Sequence, residues 1–361
     1  MEIIYPNRII YGEDTRLRTG EILADMYSSH PVIVTSAQCD RNKDISDSIS
    51  DWTRGISVYN YTGEPTLDDV KNLSNFYIDN KGDSIVAIGG GSRMDLCKAA
   101  RAMINSSSIG WMDEGYIVTR ESMISAPNII CIPTTSGSGS EVSRGTVIHD
   151  GYRKRVIGGP GMLPNASILD PLMTTTMSKE LTASTAIDAL SHTLESYLGI
   201  NNNFIVDGMC EQAYSLIYNN IDTVIKEPDN LGARLNMQVA SSLAAMSFSR
   251  GLGMIHSLAH AMGCMGVPHG VAIYTVIREV VNRLLNDTPT LRRVIKLVGC
   301  GEIDNIIDTC GKYIEKPVGL DIETIAELAM QDHCHKTSPI LCNRDIMIEI
   351  LTASLTMEND K

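Results

Sequence analysis

Histidines gathered in one part of the chain are the first candidates for chemistry. Four of the eight histidines lie from residue 192 to residue 269. Asp188 and His192 are four residues apart in a stretch with helical periodicity, so both side chains face the same side of that helix. His256 and His260 share this spacing, and His269 follows them. One carboxylate with several neutral imidazoles is a donor set that suits Fe²⁺ or Zn²⁺.

The spacing alone does not decide which histidines bind a metal ion. The pairing of His256 with His260 would make both of them ligands, and a single histidine is more often a satisfied core or capping group. The surrounding segment, residues 251–277, contains no Asp, Glu, Lys or Arg. It contains three histidines, five glycines and Pro268, so we expect a buried segment of a globular protein rather than a membrane helix.

Two turns rich in glycine and hydroxyl residues follow predicted strands. Residues 89–92 read Gly-Gly-Gly-Ser, and residues 133–141 read Pro-Thr-Thr-Ser-Gly-Ser-Gly-Ser-Glu. Glycine allows a phosphate to approach the backbone, and the free N–H groups of a helix start can bind it. Either turn alone is consistent with an ordinary connection, but two of them in one α/β domain favour nucleotide binding. Neither is a Walker A motif, and neither fits GxGxxG.

The elements that would position these residues change in type along the chain. Apolar runs at residues 9–11, 31–35, 83–88 and 128–133 predict buried strands, with helices between them at 68–77 and 92–104. This alternation predicts a doubly wound α/β domain. After about Met177 helical patterns dominate, at residues 182–198, 206–218, 231–246, 271–285 and 345–355. The second half is therefore predicted to be all-helical.

Length and composition limit the classes of protein that are possible. A chain of 361 residues exceeds the roughly 250–300 at which a single core stops growing, which favours two domains. The net charge of −13 and the lack of basic runs argue against nucleic acid and anionic membranes as partners. The nine cysteines include no CxxC motif, and the N-terminus does not read as a signal peptide. We therefore expect a cytoplasmic protein.

Taken together, these segments resemble the iron-dependent (group III, metal-containing) alcohol dehydrogenase family. The matching segments are residues 89–98, 133–142, 188–192, 251–260 and 268–270. The resemblance implies a dehydroquinate synthase-like fold, in which residues 1–176 form an α/β dinucleotide-binding domain and residues 177–361 form a helical metal- and substrate-binding domain. It also implies a small alcohol or aldehyde as the substrate partner, and a homodimer is a possible assembly.

The resemblance assigns roles to individual residues. The implied metal ligands are Asp188, His192, His256 and His269, and they would bind Fe²⁺, with Zn²⁺ or another divalent ion as alternatives. His260 then becomes a non-ligand histidine near the nicotinamide and a candidate for proton relay. The implied contacts to NADH or NADPH are Ser36, Gly89, Gly90, Gly91, Ser92, Asp95, Thr134, Thr135, Ser143 and Lys154.

The implied function is hydride transfer between NAD(P)(H) and a small alcohol or aldehyde, with the metal ion polarising the substrate oxygen. Two alternatives remain open. One is an enzyme of the same fold that resembles glycerol dehydrogenase or maleylacetate reductase, although those relatives lack the full set of one aspartate and three histidines. The other is a cofactor-binding protein without catalytic activity, against which the presence of all four ligands argues.

Some positions depart from the family pattern and bear on the cofactor and the substrate. Ser36 stands where many NAD-preferring members have Asp, and Arg41 is close by, which favours tolerance of NADP. Arg144 and Arg250 stand where the family usually has neutral residues. An arginine that faces the substrate would bind an anionic group, so an anionic aldehyde is a possible substrate. The alternative is that these arginines face solvent or pair with nearby acids.

Overall fold

The chain forms two compact units in a computed structural model. The structure describes residues 5, 8–37, 41–105, 117–151, 154–200, 203–286 and 302–356, apart from the side chains of residues 249, 250 and 302. The first unit consists of Met1–Thr135 and Gly139–Thr176, and the second of Ser136–Ser138 and Met177–Lys361. Each unit is described by itself below.

The first unit is built on a parallel sheet. Its strands are β1 (Arg8–Tyr11), β2 (Pro31–Thr35), β3 (Ser57–Asn60), β4 (Ser84–Gly89), β5 (Asn128–Pro133), β6 (Gly145–His149), β7 (Lys154–Gly158) and β8 (Ala166–Leu169). Six of them pair in the order β1-β8-β5-β4-β2-β3, and all of these pairs are parallel. Strands β6 and β7 form a separate antiparallel hairpin.

Helices and two cores cover this sheet. The helices are α1 (Thr19–Asp25), α2 (Asn42–Ser50), α3 (Leu67–Asp79) and α4 (Gly91–Asn105), with 3₁₀ segments at Thr15–Arg18, Glu121–Met123, Pro160–Met162 and Pro171–Thr174. Ile85 of β4 packs in one core with Leu73 of α3, whereas the next residue, Val86, packs in the other core with Ile45 of α2. Both faces of the central strands are therefore buried, which explains why their sequences are continuously apolar.

The second unit is helical in its described residues. Its helices are α5 (Lys179–Leu198), α6 (Phe204–Lys226), α7 (Leu231–Met246), α8 (Met254–Gly263), α9 (His269–Leu285), α10 (Glu302–Gly311), α11 (Ile322–Gln331) and α12 (Arg344–Thr356), with 3₁₀ segments at Ser247–Arg250 and Cys334–Thr337. Helix α5 packs against α6, α7, α9 and α10. Because α5 has neighbours on several sides, its residues 186–198 are buried without a break.

The predicted fold class, an α/β unit followed by a helical unit, is confirmed. The predicted strands and helices lie where the patterns indicated, with shifts of a few residues at their ends. The structure adds β3, β8 and the β6–β7 hairpin, which the patterns did not predict. Within the described residues, none of the helices has the length and apolar character needed to cross a bilayer.

Candidate metal centre and cofactor-binding turns

The four predicted metal ligands come together in the second unit. Helix α5 carries Asp188 and His192, α8 carries His256, and His269 is the first residue of α9. The Nε2 atoms of His192, His256 and His269 lie 3.3, 3.8 and 3.5 Å from Asp188 Oδ1. The rings of His192 and His256 are stacked, with centroids 4.6 Å apart.

Asp188, His256 and His269 each offer one ligand atom within 4.8 Å of the others, so these three residues fit a single small cation. His192 is outside this set, although its Nε2 lies 3.3 Å from Asp188 Oδ1. Tetrahedral ligands at about 2.0–2.2 Å from one ion are roughly 3.3–3.6 Å apart. Asp188 Oδ1 and His256 Nε2 are also buried without a hydrogen-bond partner among the described residues. A buried polar atom left unpaired is costly, and a bound cation would satisfy both atoms. The His269 side chain remains 31% exposed, so the group is accessible on that side.

The protonation of Asp188, His192 and His269 also suits a divalent ion. Burial lowers the pKa of His192 to about 3, and it lowers the pKa of His269 as well. Burial alone would raise the pKa of Asp188, but the surrounding imidazoles hold it well below its usual value. For His256, burial is outweighed by the carboxylates of Asp188 and Glu195, which raise its pKa to about 9. Metal binding at His256 would therefore release a proton.

Glu195 is a residue that the sequence analysis missed. It is buried, and its Oε2 accepts a hydrogen bond from His256 Nδ1 at 2.6 Å while its Oε1 accepts one from the backbone N–H of Ile255 at 2.6 Å. A Cβ on Gly253 would lie 2.7 Å from Glu195 Oε1, so the glycine makes room for this carboxylate. This hydrogen bond keeps one proton on Nδ1, so it is the proton on Nε2 that a metal ion would displace.

The variant Glu195→Gln is expected to weaken metal binding by about 10–100-fold. His256 and Ile255 contact different oxygens of Glu195, and glutamine replaces one of these oxygens with an NH₂ group, so one of the two donors loses its acceptor. The measurement is a competition titration of the metal-free protein with a chelating indicator. Glu180→Gln, at an exposed position of the same helix, serves as the matched control. An unchanged affinity in Glu195→Gln would contradict the assigned role.

His260 lies beside this group but has a different partner. Its Nδ1 lies 2.8 Å from Asp332 Oδ2, and the other oxygen of Asp332 accepts hydrogen bonds from Ser257 Oγ and the Cys334 N–H. His260, Asp332 and Cys334 could together hold a metal ion, because one potential ligand atom from each lies within 4.8 Å of the others. The oxygens of Asp332 already accept these hydrogen bonds, whereas Asp188 Oδ1 accepts none. We therefore favour Asp188 and its histidines as the metal site.

The two predicted cofactor turns are neighbours in the first unit. Gly89 ends β4, α4 begins at Gly91, and the backbone N–H of Thr134 donates to Gly89 O at 3.0 Å. A Cβ on Gly90 would lie 3.3 Å from the Thr135 hydroxyl. Because β4 and β5 are adjacent parallel strands, both turns lie at the carboxyl edge of the sheet, where such sheets bind ligands.

Two other predicted cofactor contacts, Asp95 and Ser143, form hydrogen bonds with other groups of the protein. The Asp95 carboxylate accepts hydrogen bonds from Ser140 Oγ at 2.5 Å and the Val147 N–H at 2.8 Å. Lys98 is fully buried and donates to Ser143 Oγ at 3.1 Å and to Ser140 O at 3.0 Å. Asp95 and Lys98 thus fix the loop that follows Thr135.

Two further predicted contacts, Ser36 and Lys154, are partly buried in the first unit. Lys154 forms an ion pair with Glu64, with 2.6 Å between Nζ and Oε2. Ser36 follows β2, and its carbonyl accepts from Asn42 Nδ2 at 2.8 Å. Arg41 is exposed in part and has a distant ion pair with Asp44, at 3.9 Å. The roles assigned to Ser36, Asp95, Ser143, Lys154 and Arg41 remain predictions.

The described part of the structure gives no contact that supports substrate binding by the two proposed arginines, Arg144 and Arg250. Arg144 is exposed, and no ion pair of its side chain is found among the described residues. The Arg250 side chain lies outside the described residues.

Comparison with known proteins assigns the family. Residues 6–171 match the sequence model described as iron-containing alcohol dehydrogenase, and residues 182–308 match its C-terminal counterpart. The 4-hydroxybutyrate dehydrogenase of Cupriavidus necator is 31% identical over 79% of this chain and 81% of its own length. The probable alcohol dehydrogenase EutG of Escherichia coli is 34% identical over 81% of this chain and 78% of its own length.

Solved structures agree in fold over nearly the whole chain. The iron-containing alcohol dehydrogenase of Thermotoga maritima has a TM-score of 0.86 and 26% identity, covering 98% of this chain and 99% of that chain. A 1,3-propanediol oxidoreductase has a TM-score of 0.86 and 25% identity, and the match again covers 98% of this chain and 99% of that chain. The chain belongs to the iron-containing alcohol dehydrogenase family. It is accordingly an oxidoreductase that acts on small alcohols with a nicotinamide cofactor and a metal ion.

Proposed function

We propose that Asp188, His192, His256 and His269 bind one divalent ion, with Fe²⁺ as the first candidate, and that substrate alcohol or aldehyde binds beside them. The observation that carries the proposal is the set of three Nε2 atoms 3.3–3.8 Å from an unpaired, buried carboxylate oxygen. A divalent ion bound there supplies Lewis-acid polarisation of the substrate oxygen. The 31% exposure of His269 supports an open position for substrate on that side.

Protein groups near the site support proton transfer. Asp332 accepts from Nδ1 of His260, so the neutral ring carries its proton there and offers Nε2 as an acceptor. The His260 side chain is 13% exposed, which leaves it within reach of solvent or a ligand. We propose that His260 takes the proton that an alcohol loses on oxidation and that Asp332 holds the ring in this tautomer.

The turns at Gly89–Ser92 and Thr134-Thr135 are the proposed binding site for the cofactor diphosphate. Gly90 has no Cβ, so a phosphate can approach its backbone. The N–H groups of the first turn of α4 have no acceptor within the helix and can donate to that phosphate. The use of NADP in addition to NAD is part of the proposal, because Ser36 brings no carboxylate to repel a 2′-phosphate. Assembly as a homodimer and a cytoplasmic location remain predictions.

The experiment that tests the function removes the metal and restores it. Protein treated with a chelator should lose nicotinamide-coupled alcohol oxidation, and Fe²⁺ or Zn²⁺ should restore it while Mg²⁺ should not, because imidazole ligands suit the former ions. The assay is run with NAD and NADP and with both neutral and carboxylated alcohols. Full activity of the metal-free protein would contradict the proposal.

We propose an anionic group on the substrate, which the name of the relative 4-hydroxybutyrate dehydrogenase supports. Arg144→Leu or Arg250→Leu is then expected to lower kcat/KM for a carboxylated aldehyde about tenfold or more, and for a neutral aldehyde of equal size only slightly. Steady-state kinetics with both aldehydes measure this difference. Equal losses for the two substrates in both variants would assign the arginines a structural role only.

A further inference from the structure

A cavity in the first unit has two arginines and an asparagine among mostly apolar lining residues, and it lies away from the cofactor turns. Its volume is about 110 Å³, and Tyr5, Arg101, Arg120 and Asn165 supply its polar side chains. Among the described residues, no Asp or Glu lines it. By the same measure of volume one water needs roughly 10–15 Å³, so the cavity has room for a polyatomic ion.

Arg101 is buried at this cavity, and none of the described residues supplies a counter-charge for it. It is only 6% exposed, and its Nε donates to Pro127 O at 2.7 Å while Nη1 donates to Gly161 O and Leu163 O at 3.0 and 3.1 Å. All three acceptors are neutral carbonyls, and Nη2 has no acceptor in the part of the chain that the structure describes. Burial lowers the pKa of Arg101 to about 10, so the group is still charged at pH 7. An unpaired buried charge is costly, and an anion would offset that cost.

Two other donors face the same cavity. Arg120 is exposed, forms no ion pair with a described residue, and makes a single long hydrogen bond of 3.4 Å from Nη2 to Tyr5 O. Asn165 Oδ1 accepts from the Ile129 N–H at 2.9 Å, which leaves its NH₂ group as a donor without a described acceptor. Donors from three separate segments thus line one cavity, as in sites for oxyanions.

The cavity is separate from the proposed diphosphate site. Pro127 and Asn165 directly precede β5 and β8, so the cavity lies at the amino edge of the sheet, whereas the glycine turns lie at the carboxyl edge. Along α4, Arg101 is nine residues beyond Ser92, or roughly 14 Å at 1.5 Å per residue.

We propose that this cavity is an accessory binding site for a small phosphate-class oxyanion, either inorganic phosphate or the phosphoryl group of a metabolite. The guanidinium groups of Arg101 and Arg120 provide the charge, and the Asn165 amide provides a further donor. Binding here would stabilise the first unit by linkage, because the unfolded chain has no such site.

The test uses enzyme loaded with metal and saturated with NADH, so that the diphosphate turns are occupied. Inorganic phosphate is titrated calorimetrically at constant ionic strength set with chloride, and glycerol phosphate is titrated in parallel. We expect one phosphate per chain and a rise in Tm of about 2–4 °C. Tighter binding of glycerol phosphate would identify a phosphorylated metabolite as the ligand, and tighter binding of inorganic phosphate would identify the free ion.

Variants of the lining arginines test whether phosphate binds in this cavity rather than elsewhere on the protein. Arg120→Met should weaken phosphate binding at least about tenfold, and because Arg120 is exposed this variant should fold normally. Arg54→Met, at another exposed arginine of the same unit, should bind phosphate as the wild type does. Arg101→Met is a second test if it folds. The proposal is overturned if wild-type enzyme binds no phosphate beyond the chloride blank, or if Arg120→Met binds as tightly as Arg54→Met.

Discussion

His192→Ala is expected to yield protein without bound metal and with kcat/KM lowered by about a thousandfold or more. His192 is 4% exposed, and its Nε2 is the imidazole nitrogen closest to Asp188 Oδ1, at 3.3 Å. Its loss removes one of the four proposed ligands, and a thousandfold loss corresponds to about 4 kcal/mol of transition-state stabilisation. Metal content by mass spectrometry and steady-state kinetics measure the two effects.

The control for this variant is the integrity of the first unit. Because His192 lies in the second unit, NADH binding by His192→Ala should remain close to that of the wild type. His30→Ala, whose ring contacts Ser57 in the first unit, should keep both metal and activity. If His192→Ala retained a full complement of metal and activity within a few-fold of the wild type, the ligand assignment would be wrong.

Gly90→Val is expected to raise the dissociation constant of NADH and of NADPH by about 10–100-fold. A Cβ at Gly90 would point at Thr135, with 3.3 and 3.4 Å to its Oγ1 and Cγ2 atoms, so a branched side chain would fill the space between the two turns. Overpacking of this kind costs about 1–3 kcal/mol, and each 1.4 kcal/mol is a factor of ten in affinity. Fluorescence titration of the reduced cofactor measures the change.

Gly90→Ala provides a graded control, because its single methyl group makes only these two close contacts and should raise the dissociation constant less than valine does. Thermal unfolding without cofactor must show that both variants fold. Equal affinities of wild type and Gly90→Val for both dinucleotides would rule out the diphosphate site proposed at these turns.

The central strands could be predicted from the sequence, whereas the edge and short strands could not. Residues 85–88 form an unbroken apolar run because both faces of β4 are buried. In β3, burial alternates along only four residues, and β8 is an equally short segment, Ala166–Leu169, whose position depends on pairing with β1 and β5. Such pairings join segments that are far apart in sequence, so no local pattern reveals them.

At the metal centre, sequence spacing predicts which side chains share a helix face, but only the packing of the helices determines which side chains from different helices meet. The spacing of Asp188 and His192 predicts one helix face, and both lie on α5 with 3.3 Å between Oδ1 and Nε2, but the spacing of His256 and His260 does not say which of them meets Asp188. The packing of α8 decides this, since His256 faces Asp188 and His260 faces Asp332. Glu195 could have been found, because it lies seven residues after Asp188 on the same face of α5. Asp332 could not, because it is 72 residues from His260.

The sequence also does not predict the direction in which a long surface side chain points. Arg144 and Arg250 are predicted to bind substrate because they stand where the family usually has neutral residues, yet the guanidinium of an exposed arginine can reach many positions at similar free energy. Arg144 is exposed in the structure, and its sequence neighbours gave no indication of this.

The most direct test of the metal assignment is anomalous X-ray diffraction, at the iron absorption edge, from crystals of the iron-loaded protein. We expect one strong peak at bonding distance, about 2.0–2.2 Å, from an Asp188 oxygen and from the Nε2 atoms of His192, His256 and His269. A peak at His260, Asp332 and Cys334 instead, or iron-loaded crystals with no peak near Asp188, would contradict it.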